Sequence, residues 1–195
     1  MNQQQLANRL LRRGVTNQVA PFLGIESFNF IINKQFYNMK KLIIDATMHL
    51  TEHFTLGEMI YSQKAEAKQI PNIPLKQHVT ALQNLCVRCL EPVRQQLGLP
   101  IKVNSGYRCP LLNQMVGGVP TSQHLKGEAA DITIPLKHRP FGHPTDEQTA
   151  RLILKYAEQF ADFDQLILEH SGKAWWVHIS CRINFRLNRR QVIKH

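Results

Sequence analysis

The segment Ser122-Gln-His124-Leu-Lys-Gly127-Glu-Ala129-Ala-Asp131 sets a histidine and an aspartate seven positions apart, with a glycine between them. Further on, Trp176-Val-His178-Ile-Ser180 offers a second histidine in an alternating run. A catalytic zinc site takes three protein ligands from His and Asp/Glu and keeps a fourth position open for water. Seven residues that include a glycine can fold back so that His124 and Asp131 reach one point. On a strand, Trp176, His178 and Ser180 share a face by the period of two, so His178 can look into the same cleft. His124, Asp131 and His178 thus complete a ligand set for one metal ion. The chain has nine histidines, and a single His on a strand usually packs or faces solvent. The ten-residue form together with the Trp-x-His-x-Ser run sets these two apart. A third segment, Ser105-Gly-Tyr-Arg108 followed by Asn113, adds a cation and polar groups.

These side chains need elements to hold them. Thr55-Leu-Gly-Glu58 is a capping box that opens a short helix. Lys64 to Pro74 is polar and Pro-punctuated and reads as a loop. From Leu75 the apolar positions Val79, Leu82, Cys86, Cys89, Leu90, Val93 and Leu97 form a helical stripe that Gly98 ends. Pro92 inside that stripe predicts a kink or a break. Ile101 to Asn104 reads as a strand, Pro110 to Met115 as a short helix, and Ala130 to Ile134 as a strand. Thr145 with Gln148 caps a helix that carries Ala150, Ile153, Tyr156, Ala157 and Phe160 on one side. Phe163 to Glu169 and Trp175 to Ser180 read as two strands, and the five residues His170 to Ala174 as the turn between them. The class is α+β: helices packed on a small, mainly antiparallel sheet.

The length of 195 residues and a hydrophobic content of 43% suit one domain with tails. No apolar run approaches the roughly 20 residues that span a bilayer. The formal charge of +10 first suggests nucleic acid, but its distribution argues against that partner. Residues 1–50 carry +4 and residues 182–195 carry +5, whereas 51–181 carry only +1. The chain therefore divides into an N-terminal extension (1–50), a domain (51–181) and a basic, solvated C-terminal tail (182–195). Met39 is a candidate start within the extension. Cys86-Val-Arg-Cys89 has metal or redox spacing, but no second such pair follows, and both cysteines fall on the apolar stripe as core residues. No signal peptide is evident, since Asp45 cuts short the apolar stretch after Met39-Lys-Lys.

The ten-residue motif, the Trp-Val-His-Ile-Ser run, Ser105-Gly-Tyr-Arg108 with Asn113, and Phe54-Thr-Leu-Gly-Glu-Met59 resemble the zinc D-Ala-D-Ala carboxypeptidases and dipeptidases of bacteria and phages. That family shares a fold with the hedgehog signalling domain. The resemblance runs from about Phe54 to Ser180. It implies one zinc ion on His124, Asp131 and His178, and a peptidoglycan stem peptide as substrate. It also implies that Arg108 holds the anionic end of the peptide and that Ser122 hydrogen-bonds the substrate beside the metal. An Arg fork suits a terminal carboxylate, which it binds bidentately. The implied enzyme is a zinc carboxypeptidase, expected as a monomer. It would act on the cell wall after release or export by another route, as a phage or prophage lysis enzyme does. An endopeptidase of the same family, a non-catalytic zinc-binding module, and a protein binding DNA through its basic ends are the alternatives.

The family's usual general-base positions, three and two residues before the last His ligand, hold Trp175 and Trp176 here. Glu169 is the best substitute, since the hedgehog-like branch places its glutamate before the hairpin turn. Glu128 competes from inside the metal motif, although its alternation relative to Asp131 points it outward. Asp164 and His170 are weaker candidates. A five-residue turn would put Glu169 opposite Trp175, on the wrong face. A base at Glu169 therefore demands an even-numbered partner, such as Ala174 across a four-residue turn, through a shorter turn or a bulge.

Overall fold

The computed structural model of the protein describes residues 45–143 and 145–194. The expected extension up to Ile44, with the candidate start at Met39, lies outside the described residues. Residues 45 onward form one compact unit. Within it Leu50 is buried and His49 bridges Thr55, so residues 45–50 belong to the body of the domain.

Helix α1 (Leu56–Ile60) starts at the expected box: Thr55 Oγ1 accepts from the Glu58 N–H, and Glu58 Oε2 accepts from the Thr55 N–H. The loop expected from Lys64 begins instead as helix α2 (Gln63–Lys68), capped by Ser62. Its polar sequence hides the single face that Ala65 buries. The long apolar stripe forms α3 (Lys76–Leu85) and α4 (Glu91–Leu97), joined by a π-helical turn over Cys86–Leu90. Pro92 explains the turn. It has no N–H for the Arg88 carbonyl, and that carbonyl accepts from the Asp162 N–H instead, at 3.0 Å. The break thereby docks the segment entering the last hairpin. Cys86 and Cys89 are free and fully buried there, as core residues. Gly98, at φ 63, ends α4.

The sheet contains β1 (Lys102–Ser105), β2 (Ala129–Thr133), β3 (Gln165–Ser171), β4 (Ala174–Ser180) and β5 (Gln191–Lys194). Its order is β1-β2-β4-β3-β5. Pairing is antiparallel except between β3 and β5, which run parallel. Short helix α5 (Pro110–Met115) follows β1, and α6 (Asp146–Phe160), boxed by Thr145 and Gln148, precedes β3. The fold is α+β.

The two faces of the sheet divide the work. Ala130, Ile132, Leu166, Leu168, Val177 and Ile179 are fully buried on one face, with Ile153 and Ala157 of α6 in the same core. Each large aliphatic side chain so buried contributes about 1.5–3 kcal/mol. The alternate residues Asp131, Ile167, Glu169, Trp176 and His178 lie on the other face, because directly opposed residues share a face: Asp131↔His178, Ile167↔His178 and Glu169↔Trp176.

The C-terminal segment is no solvated tail. Residues 191–194 pair with Gln165 to Leu168 and cover the edge of β3. Arg182 and Arg189 both bind the Asp164 carboxylate, which is shut off from solvent. The run of basic residues conceals this, because the acid it needs lies on the far side of the β3–β4 hairpin in sequence.

Candidate active site

His124 lies on a 3-10 turn (Gln123–Lys126) that Gly127 ends at φ 73. A side chain at position 127 would suffer that φ, and its Cβ would sit 2.5 Å from the His78 carbonyl. The glycine thus permits the fold-back that brings His124 over the start of β2. His124 Nδ1 lies 2.7 Å from the Gly106 carbonyl, a contact that fixes the ring with Nδ1–H donating and Nε2 facing the cleft. Gly106 has its own constraint, since a Cβ there would overlap the Met59 carbonyl.

Three ligand atoms converge. His124 Nε2 lies 3.3 Å from His178 Nδ1 and 3.3 Å from Asp131 Oδ1, and His178 Nδ1 lies 3.0 Å from the same oxygen. A tetrahedral ion with ligands at about 2.0–2.1 Å needs donor atoms separated by roughly 3.3 Å. The triangle therefore fits one small divalent ion. All three residues are buried. Burial by itself would push the Asp131 carboxyl up. The charge and hydrogen bonding of His124 and His178 outweigh it and hold that carboxyl far below the usual carboxylate range.

Arg108 touches this group directly. Its Nη2 donates to Asp131 Oδ2 at 2.5 Å and its Nε donates to Ser105 Oγ at 2.8 Å. Ser105 stands opposite Asp131 because a bulge between Val103 and Ser105 adds one residue to β1. Asn113 is buried behind the site, where its Nδ2 donates to the Val119 carbonyl and steadies the loop that leads into Ser122. Ser122 lines the cleft beside His124. Asn72, which no motif marked, is buried and ties Ile60, Tyr107 and Cys109 together through its amide. It braces the Gly106–Arg108 segment, and only a distant pairing of loops reveals it.

The candidate bases separate clearly. The β3–β4 turn is Gly172-Lys173, two residues long instead of five, with Gly172 at φ 58. That shorter turn shifts the register by one and sets Glu169 opposite Trp176, on the face of His178. Trp176 Nε1 donates to Glu169 Oε2 at 2.7 Å. Glu128 does not point outward: it is buried at the cleft, and its Oε1 accepts from the Ile183 N–H at 2.9 Å. It sits just before β2, so strand alternation does not govern it. Asp164 is consumed by its two arginines. His170 stacks on Trp175 with ring centroids 4.4 Å apart, on the opposite face.

His124, Asp131, His178, Arg108, Ser122 and Glu169 all line one cleft of about 710 Å³. Two histidines and an aspartate converging in such a cleft of an α+β fold form a group that could hold a metal ion. The chain belongs to the Peptidase M15 family, whose sequence pattern matches residues 52–180. It is a metallopeptidase by that membership. No curated protein matches the chain.

Proposed function

We propose that the protein is a zinc peptidase that hydrolyses peptide bonds in peptidoglycan stem peptides, as a D-Ala-D-Ala carboxypeptidase. The observation that carries this reading is the triangle of His124 Nε2, Asp131 Oδ1 and His178 Nδ1 at the floor of a cleft in an M15 fold. These three residues would hold the ion. Bound zinc supplies a Lewis acid for the scissile carbonyl and lowers the pKa of water. Glu169 takes a proton from the attacking water and delivers it to the leaving amine nitrogen. Trp176 holds Glu169 Oε2, which orients the carboxylate for both transfers. Ser122 hydrogen-bonds the substrate backbone, and Arg108 steadies Asp131 while offering cationic charge to the substrate. The wall of a bacterial cell is then the place of action, reached by release or export, as for a phage or prophage lysis enzyme.

A second reading, an endopeptidase that cuts inside the stem, has one observation on its side. Arg108 already spends Nε and Nη2 on Ser105 and Asp131, so one edge of its fork is committed within the protein before a terminal carboxylate arrives. Mass spectrometry of purified muropeptides after incubation with zinc-loaded protein separates the readings. Loss of one terminal alanine supports the carboxypeptidase. Internal cleavage moves the assignment to the endopeptidase. Unchanged muropeptides sink both.

A further inference from the structure

The match to the family ends at residue 180, but the cleft does not. Arg182, Ile183 and Leu187 build one of its walls. Three attachments hold that wall in place. The buried Asp164 accepts from Arg182 Nε at 2.9 Å and from Arg189 Nη2 at 2.6 Å. The Ile183 N–H donates to Glu128 Oε1 at 2.9 Å. Asn188 Oδ1 accepts from the Arg182 N–H at 3.0 Å.

The wall exposes what a folded surface normally hides. Ile183 is 50% and Leu187 59% exposed, and Val119, which lines the same cleft, is 61% exposed. Apolar side chains gathered on a cleft are contact surface for a ligand. Cations accompany them. Lys126 lines the cleft and has no ion-pair partner among the described residues. Arg182 engages Asp164 through Nε, which leaves its terminal nitrogens outside that bond. Arg182 and Arg189 share Asp164, and the Glu128 carboxylate stands at the same wall on the Ile183 N–H, so the positive charge left over on this side of the cleft is that of Lys126.

We propose that this wall is a subsite for an aliphatic side chain that ends in a carboxylate. The aliphatic stem lies on Ile183 and Leu187, and the carboxylate meets Lys126 and Arg182. In stem peptides this selects the diaminopimelate type over the lysine type, whose side chain lacks that carboxylate. The inference rests on the peptidase reading above.

Two defined pentapeptides that differ only at the third residue, diaminopimelate or lysine, test it. With zinc-loaded native protein the diaminopimelate peptide should show about tenfold higher kcat/KM, expressed in KM, as expected for one charge-assisted contact. Lys126→Glu should remove that preference and Lys126→Met should reduce it. Lys137→Glu, an exposed change away from the cleft, should retain it. Equal kcat/KM for the two peptides overturns the subsite and leaves the peptidase reading standing. An unaltered preference in both Lys126 variants also overturns it. Failure to cleave either peptide sinks the peptidase reading and the subsite with it.

Discussion

Glu169 lies directly opposite Trp176 in the last hairpin, and the indole N–H of Trp176 donates to Glu169 Oε2 at 2.7 Å. The pair turns a surface carboxylate into an oriented one on the same sheet face as His178. A general base must reach its proton along a fixed line, and a hydrogen bond to one carboxylate oxygen supplies that restraint. Trp176→Phe keeps the ring and removes the donor. A hydrogen bond to a charged group contributes about 1.5–3 kcal/mol. We expect turnover to fall about tenfold or more with zinc content unchanged, as read from steady-state kinetics and elemental analysis of the same preparation.

Glu169→Gln is the sharper substitution, because it preserves size and hydrogen bonding while removing the basic oxygen. Zinc content and melting temperature should match those of the native protein, with kcat reduced by about 10²–10⁴-fold. Full activity would shift the role to Glu128, the remaining carboxylate that lines the cleft without belonging to the metal group.

His124→Ala removes one ligand and leaves a buried cavity against the Gly106 carbonyl. The variant should bind less than stoichiometric zinc after dialysis and show no turnover. Circular dichroism should still report the native helix and strand content, because the core lies on the opposite face of the sheet. Retention of tight zinc would exclude His124 as a ligand.

Arg108→Lys tests a role the triangle reveals. Lysine keeps the charge but cannot reach Ser105 Oγ and Asp131 Oδ2 together. Zinc affinity should drop about 10–100-fold, the usual cost of losing a partner that orients a metal ligand. Competition with a chromophoric chelator measures it. In parallel, equal turnover of free and C-terminally amidated peptides by the native enzyme would assign Arg108 to Asp131 alone and favour the endopeptidase.

Asp164 makes stability depend on pH. Burial would raise its carboxyl, but hydrogen bonds from Arg189 and Arg182 and the Arg189 charge lower it to about 2. The ordinary value is about 3.9. Because the folded value is the lower one, the stabilisation is fully present above about pH 4 and is lost as the pH falls through about 2. Asp164→Asn should lower the melting temperature at pH 7. The gap between variant and native protein should narrow steadily as the pH drops from 4 to 2.5. A gap that stays constant over that range would show that the carboxylate charge is not what anchors residues 182–189.

His124 and Asp131 were legible as a pair because a glycine-bearing seven-residue return is local. The alternating run marked His178 and its strand face, and the β2–β4 pairing brings it opposite Asp131, 47 residues away. The capping boxes at Thr55 and Thr145, the helix broken near Pro92, and the core face of β3 and β4 are local in the same sense, each set by neighbours within a few residues. Three things were decided only by the tertiary structure. The register of the β3–β4 hairpin depends on whether the turn takes two residues or five, a difference that flips Glu169 between faces while leaving the strand pattern intact. The bulge in β1 that sets Ser105 beneath Arg108 follows from pairing with β2 across a long stretch of chain. The C-terminal residues read as solvated charge because their counterion, Asp164, is buried 18 positions before Arg182 and 25 before Arg189. Charge along a sequence reveals its partner only when the two lie within a helical turn or a strand pair. Here a hairpin separates them, and folding alone brings acid and base together.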